Sequence, residues 1–343
     1  MTGKRFFAAS NTSRGFVSYF AENFRERADR CYIIKGGPGT GKSRLMKEMA
    51  EAFLQAGCDV EYYYCSSDPS SLDGLFASCG GYSVAVMDGT APHAEDASTP
   101  GTKDNLIDLG RFWDSRLLRQ AGRDVAFLTA KKARAYSAAY RALAAYGSLT
   151  ETADELASDA VDLGVVSDQC ARLASEIPRE KLLRTPLSAV GMRGTVSFDS
   201  FSEAASLSIS VTDSRAYGIS HLYLSGLVGK VGGRAAPHPI LPGRFCALLA
   251  DGVAVVEKSI SEADGKVIDA SEFVDRSLYL LNKERIDRLR ALAASALEEA
   301  LGFFEEAGDA HMEIEKIFSS AMNFAEKEAY SRDLCDKIRK GDL

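Results

Sequence analysis

The chain has 343 residues, a net charge of −7, 46% hydrophobic residues and 26% charged ones. That length supports two or three domains around a sizeable core, with a composition ordinary for a globular protein. The acidic balance excludes an overall basic footprint for nucleic acid, and no apolar run approaches the length of a membrane span.

Residues 1–7 are basic and only briefly apolar before Ser10-Asn11-Thr12-Ser13-Arg14, which predicts no signal peptide. The seven cysteines are odd in number and lack a C-x-x-C pair. That pattern predicts reduced thiols in a cytoplasmic protein, and neither a disulfide framework nor a zinc site. Residues 5–29 read as a short strand or loop, a turn at Gly15, and a helix with Phe16, Tyr19, Phe20 and Phe24 on its apolar face.

The strongest chemical signal follows. Cys31-Tyr32-Ile33-Ile34 is strand-like, Gly36-Gly37-Pro38-Gly39-Thr40-Gly41-Lys42-Ser43 fits G-x-x-x-x-G-K-S, and residues 44–55 are helix-like. Strand, glycine loop and helix in that order are the setting of a phosphate-binding loop. The glycines let backbone N–H groups turn inward, and the helix adds the positive end of its dipole. In such a loop Lys42 reaches the β- and γ-phosphates and the Ser43 hydroxyl ligates Mg²⁺. The predicted ligands are therefore ATP and Mg²⁺, the lack of an N-K-x-D pattern pointing away from guanine.

Ala56-Gly57 ends the helix, and residues 59–65 form a second, aromatic-rich strand. Residues 66–74 read as a loop with a short helical turn. Tyr82-Ser83-Val84-Ala85-Val86-Met87-Asp88 is a third strand closing on a carboxylate, the shape of a Walker B element. Asp88 is thus the expected metal-shell partner of Ser43. Many phosphate-loop ATPases follow that aspartate with a glutamate that activates water; here Gly89 stands there. Asp68, His93 and Glu95 are the remaining candidates for water activation, and Asp68 and Asp73 lie on the loop expected to face the γ-phosphate. Each of them also has an ordinary reading as a turn or cap residue.

Arg111, Arg116, Arg119 and Arg123 either supply an arginine finger or line a solvated helix face. From Asp124 to Ile177 the pattern is helical and alanine-rich, with Leu128, Ala135, Ala139, Ala142, Leu143 and Tyr146 on one face. Gly147-Ser148 reads as an interruption and Thr150 or Thr152 as a second start, giving an antiparallel helical hairpin that projects as an arm. Lys131, Lys132, Arg134 and Arg141 form a small basic patch on it.

The later half reads as an eroded copy of the earlier one. Phe112-Trp113-Asp114 matches Phe273-Val274-Asp275 (275 − 114 = 161), and Gly147 matches Gly308 (308 − 147 = 161). Arg14-Gly15 matches Arg193-Gly194 (193 − 14 = 179), and Asp88 matches Glu257 (257 − 88 = 169). The phosphate loop maps onto residues 213–220 (218 − 41 = 177), where Gly218 and Ser220 are kept but Ile219 replaces Lys42 and Asp213 replaces Gly36. An apolar side chain for the cation, and a carboxylate where phosphate would lie, predict that this copy binds no nucleoside triphosphate. Ile286, Leu289, Ala293, Leu297, Leu301 and Phe304 form the apolar stripe of a second arm.

These motifs resemble those of a poorly characterised bacterial family of phosphate-loop ATPases or ATP-binding proteins built as two repeated halves. The resemblance rests on Asn11-Thr12-Ser13-Arg14-Gly15-Phe16, the loop from Ile34 to Ser43, Cys65-Ser66-Ser67-Asp68-Pro69 with Leu72-Asp73-Gly74, and Asp88-Gly89-Thr90-Ala91-Pro92-His93. It implies nucleotide binding at residues 36–43 and ATPase activity, with substrate and partners undefined. Similar proteins can keep a second G-x-x-x-x-G-K-S loop; this sequence departs from that pattern.

The expected fold is therefore α/β, a P-loop NTPase core with a mainly parallel sheet, duplicated, each copy followed by a long α-helical hairpin arm. The expected divisions are 1–110, 111–182, 183–272 and 273–343. The expected function is Mg²⁺-dependent ATP hydrolysis at one site, with Lys42, Asp88, His93 and Asp68 catalytic and Ser43 and Asp88 on the metal. A nucleotide-gated interaction protein with little hydrolysis and a small-molecule kinase are the alternatives. Besides the nucleotide, a protein partner on the helical arms is the expected contact, without nucleic acid or membrane.

Overall fold

A computed structural model of the chain describes residues 4–92 and 94–341, so His93 lies outside the described residues. The first part contains β1 (Lys4–Phe7), β2 (Ala9–Thr12), β3 (Gly15–Ser18), β4 (Arg30–Lys35), α1 (Lys42–Gln55), β5 (Asp59–Tyr64), β6 (Leu72–Cys79), β7 (Tyr82–Asp88) and β8 (Asp104–Asp108). Next come α2 (Ser115–Gln120), α3 (Gly122–Ser158) and α4 (Leu163–Ala174). The later part contains β9 (Leu183–Arg184), β10 (Ser188–Gly191), β11 (Gly194–Ser197), α5 (Ser200–Ala204), β12 (Leu207–Thr212), α6 (Ser220–Val231), β13 (Arg234–Pro237), β14 (Phe245–Ala250), β15 (Val253–Glu257) and β16 (Lys266–Asp269). It closes with α7 (Arg276–Ser320) and α8 (Phe324–Lys340).

The architecture is α/β, with two six-stranded sheets and long helices. One sheet runs β1-β5-β6-β7-β4-β8 and the other β9-β13-β14-β15-β12-β16. In both, the pairings along that order are parallel, antiparallel, antiparallel, parallel, parallel. The sheets are therefore mainly parallel, as expected, with three parallel pairings of five, but each also contains two antiparallel pairings. The cause is local. Gly80-Gly81 (φ 58° and 96°) joins β6 to β7, and Asp251-Gly252 (φ 46° and 74°) joins β14 to β15. Both are two-residue turns with positive φ, the geometry that closes an antiparallel hairpin. Leu72–Cys79 is accordingly a strand and not the end of a helical turn.

The sheets share an apolar layer. Phe6, Ile33, Tyr63 and Met87 of one, with Phe24 beside them, meet Ala236, Ala247 and Ala254 of the other, with Leu187 and Phe201 beside those. Inside this layer the Glu61 carboxylate receives Arg234 Nη1 at 2.8 Å and Nη2 at 3.0 Å, and Arg27 Nη1 at 2.9 Å. Burial alone would raise that carboxyl, but Arg234 and Arg27 outweigh it and hold it well below the carboxylate range.

The helices depart from the expected pair of hairpins. α3 runs unbroken through Gly147, and α7 runs unbroken through Gly308. A Cβ at Gly147 would lie 2.5 Å from Ser13 Cβ, and one at Gly308 would lie 2.9 Å from Met192 Cβ. These glycines mark close approach, not helix termination. α3 and α7 instead pack along each other, with Ala139, Leu143, Ala300 and Phe304 between them. The shorter helices then cross over. Val166, Cys170 and Leu173 of α4 join the core around α6, while Leu334, Cys335 and Ile338 of α8 join the core around α1.

Two matching seams fix the crossing. Asp114 N–H donates to Ala321 O at 2.7 Å and Asn323 N–H to Phe112 O at 2.9 Å. Asp275 N–H donates to Ala160 O at 2.8 Å and Asp162 N–H to Phe273 O at 3.0 Å. The sets correspond at the spacing of 161 seen in the sequence (275 − 114, 321 − 160, 323 − 162, 273 − 112).

The cysteine expectation is corrected. Cys58 and Cys79 form a disulfide with Cα atoms 4.4 Å apart, and the other five are free thiols. Register is the reason: Asp59 lies opposite Ser78 in the β5–β6 pair, which sets the flanking cysteines side by side. Among the described residues, no helix is long and apolar enough to cross a membrane.

Candidate functional site

β4 pairs directly with β7 in parallel, with Ile34 opposite Asp88. No strand separates them, so the segment leaving β4 and the carboxylate ending β7 emerge at one sheet edge. The emerging segment turns through Gly36, Gly39 and Gly41, with φ 149°, 72° and 80°, and enters α1 at Lys42. The loop is braced by the Thr40 hydroxyl, which donates to Gly37 O at 2.8 Å.

Lys42 curls back over the loop. Its Nζ donates to Gly36 O at 2.7 Å and Gly37 O at 3.0 Å, and lies 3.5 Å from Asp88 Oδ2. Asp88 Oδ1 accepts from Thr90 N–H at 2.8 Å and from the Thr90 hydroxyl at 2.6 Å. Ser43 Oγ accepts from Leu72 N–H at 2.9 Å, tying the start of α1 to β6. Lys42 and Asp88 are thus brought within 3.5 Å of each other, and Ser43 follows Lys42 at the start of α1.

Gly89 has a structural reason. Lys35 Nζ donates to Gly89 O at 2.8 Å and Glu95 O at 2.6 Å, clamping the turn after β7. A Cβ at Gly89 would lie 2.4 Å from Ile33 Cγ2 and 3.0 Å from Glu95 O. No side chain fits there without displacing Ile33 or the Glu95 backbone.

Asp68 is held by its own loop and by the later half. It accepts from the Ser70 hydroxyl at 2.8 Å and from Arg193 Nε at 3.1 Å. Burial would raise its carboxyl, but Ser70 and Arg193 outweigh that and hold it below the usual range, so it is a weak base. Asp73 is buried on β6. Glu95 pairs with Arg25 at 2.7 Å. Arg111, Arg116, Arg119 and Arg123 are exposed, and Arg111 stacks over Phe112 and Tyr330. These arginines form a solvated face and do not converge on the loop.

Several residues around the loop were not anticipated. α7 lies directly on it: a Cβ at Gly39 would be 2.5 Å from Glu315 O and 2.6 Å from Ser319 Oγ. Ser319 Oγ donates to Gly39 O at 3.1 Å, and the rings of Phe318 and Trp113 cover Gly37. The β10–β11 hairpin docks on the loop after β5, with Met192 N–H donating to Ser67 O at 3.1 Å. From α3, Tyr136 and Lys132 face the same space. Burial pushes the Tyr136 hydroxyl up to about 12 against the lowering bond to Ser67. Burial lowers the Lys132 ammonium, and the Lys42 charge lowers it further. Apart from Lys132, which the sequence placed in a basic patch, nothing in the local sequence singles these residues out, because their place depends on how α3, α7 and the β10–β11 hairpin pack around the loop.

Residues 213–220 have the same setting between β12 and α6 but a different content. The Asp213 carboxylate accepts from the N–H groups of Tyr217 at 3.0 Å, Ile219 at 3.3 Å and Gly218, and from the Ser271 hydroxyl at 2.9 Å. Ile219 is buried, and the Ser220 hydroxyl donates to Glu257. The loop's inward amides are occupied by the chain's own carboxylate.

No family model matches the sequence, and no curated protein or solved structure matches it.

Proposed function

We propose that the chain is an ATP-binding, Mg²⁺-dependent phosphate-loop ATPase with one working site in its first half. In this reading it belongs with the two-halved bacterial phosphate-loop ATPases that its motifs resemble, and residues 183–343 are a degenerate copy. The carrying observation is the Lys42 ammonium, 2.7 Å from Gly36 O within a glycine loop and 3.5 Å from the Asp88 carboxylate on the adjoining parallel strand. The identical order and sense of the two sheets, and the two seams spaced by 161 residues, support the duplication.

The loop amides and the N-terminal end of α1 bind the phosphates, and Lys42 moves from the Gly36 and Gly37 carbonyls onto the β- and γ-oxygens. Ser43 and Asp88 would hold Mg²⁺. One hydroxyl and one carboxylate suit this ion, which keeps most positions for phosphate and water. When bound, Mg²⁺ neutralises charge on the phosphate oxygens. The chain's own part is positioning and exclusion of water beneath α3 and α7.

Gly89, with no room for a side chain, and Asp68, held by Arg193, favour slow turnover. A nucleotide-gated interaction protein that hydrolyses ATP sparingly is therefore the second reading, and single-turnover hydrolysis separates the two. Calorimetry with Mg²⁺ and ATP tests the site itself. The expected result is one nucleotide per chain, and a loss of about a hundredfold in affinity for Lys42→Ala. Two nucleotides per chain, or equal affinity in that variant, overturns the proposal.

A further inference from the structure

We propose that Lys132, on α3, is the second cation of the triphosphate site and contacts the terminal phosphate, so that seating of α3 and α7 over the loop depends on that phosphate. This rests on the nucleotide reading of residues 36–43.

The long helices are fixed against each other and against the loop. Tyr136 and Tyr140 of α3 place their rings 5.8 and 6.1 Å from that of Phe304 on α7. Further along α7, Glu315, Phe318 and Ser319 sit on Gly37 and Gly39. Lys132 is about one helical turn before Tyr136, and His311 about one turn before Glu315. Both therefore lie where the helix pair crosses the loop. Helical phase separates Lys132 from the rest of the basic patch: Lys131, Arg134 and Arg141 are exposed, whereas Lys132 is half-buried.

Lys42 has an acid beside it, the Asp88 carboxylate at 3.5 Å. The charge facing Lys132 is the Lys42 ammonium, and among the described residues no carboxylate pairs with Lys132. His311 faces Lys132 and Lys42 as well, with Glu315 and Asp68 as the nearby acids. Cations held near one another in a half-buried space repel unless an anion lies between them.

In the later half the loop amides and the cation over them each have a carboxylate of the chain's own. Asp213 fills the amides of residues 217–219, and a cation from the facing long helix closes on the same loop. That cation is Arg290 of α7, whose Nη1 donates to Ala216 O at 3.0 Å and whose Nη2 donates to Tyr217 O. It lies 3.6 Å from Asp154 of α3. In both halves a long helix thus brings a positive group to the loop. In the later half that group has a carboxylate partner in Asp154, whereas among the described residues Lys132 has no such ion pair.

The test compares a non-hydrolysable ATP analogue with ADP, each with Mg²⁺, on the full chain, by calorimetry and by fluorescence of the single tryptophan, Trp113. Trp113 packs on Gly37 beside Phe318 of α7, so it senses how α7 is seated on the loop. Lys132→Ala is expected to weaken the triphosphate analogue by about tenfold to a hundredfold and ADP by less than about twofold, with Lys132→Arg retaining most of the affinity. The analogue, but not ADP, is expected to change Trp113 emission in the wild type, and Lys132→Ala to remove that difference. Equal weakening of both nucleotides, or none, overturns the proposal. Wild-type chain that binds neither nucleotide overturns the nucleotide reading and this proposal with it. Wild-type binding with an indifferent Lys132→Ala overturns this proposal alone. Unchanged circular dichroism and urea midpoints identify the variants as folded.

Discussion

Glu61→Gln is the sharpest test of how the two sheets are held together. The Glu61 and Arg234 side chains are 12% and 14% exposed, and the carboxylate accepts from both Arg234 terminal nitrogens, from Arg27 and from the Tyr63 hydroxyl at 2.8 Å. The guanidinium of Arg234 also lies 3.9 Å above the Phe6 ring, so it has little water to turn to. Breaking a buried pair from one side leaves an uncompensated charge and costs about 3–5 kcal/mol. Glutamine keeps one acceptor but turns an amide N–H₂ toward the arginines, so about 3 kcal/mol is expected. Urea unfolding at pH 7 measures it. The pH dependence has a definite sign, because the folded carboxyl is held below its unfolded value. Its contribution is complete above the unfolded carboxyl value of about 4.3 and drains away as pH falls toward the folded one. The gap between wild type and Glu61→Gln should therefore narrow below about pH 4. A gap under about 0.5 kcal/mol at pH 7, or one that widens in acid, refutes the reasoning.

Other substitutions probe the cover over the loop and its later counterpart. Gly39→Ala combines a left-handed φ of 72° with a 2.5 Å approach to Glu315 O, and should cost about 2–4 kcal/mol in urea unfolding. Gly302→Ala, in α7 with open space around it, should instead stabilise by up to about 1 kcal/mol. Asp213→Ala exposes the amides of residues 217–219 and should lose about 1–3 kcal/mol. Inorganic phosphate should then raise the urea midpoint of that variant more than that of the wild type. Replacing Cys58 and Cys79 by serine opens a loop spanning 21 residues and should cost about 3 kcal/mol, and unchanged unfolding with and without reductant would refute it.

The elements that were legible in the sequence are the local ones. The strand, glycine loop and helix around residues 31–55 follow from spacing and from glycine positions, as does the carboxylate ending β7. The hairpin turns at Gly80-Gly81 and Asp251-Gly252 carry an equally local signal, which a reading of residues 66–74 as a helical turn passed over. Gly147 illustrates the opposite case. The same residue serves as a helix stop or as a point of close approach, and only the presence of Ser13 beside it decides which. Cys58 and Cys79 are scattered in the chain and become partners only through strand register.

The sequence alone therefore determined the chemistry offered at the first loop, because Gly36, Gly41, Lys42 and Ser43 act over a single turn of backbone. It also showed Asp213 and Ile219 at the positions that, in the proposed duplication, correspond to Gly36 and Lys42. Tertiary structure alone decided what surrounds that chemistry. α7 and α8 reach the first loop and α1 from nearly three hundred positions away, as in the Ser319–Gly39 bond with its separation of 280. Such contacts arise from the burial of apolar faces that any suitably shaped partner satisfies, and spacing along one helix cannot say which partner it will be.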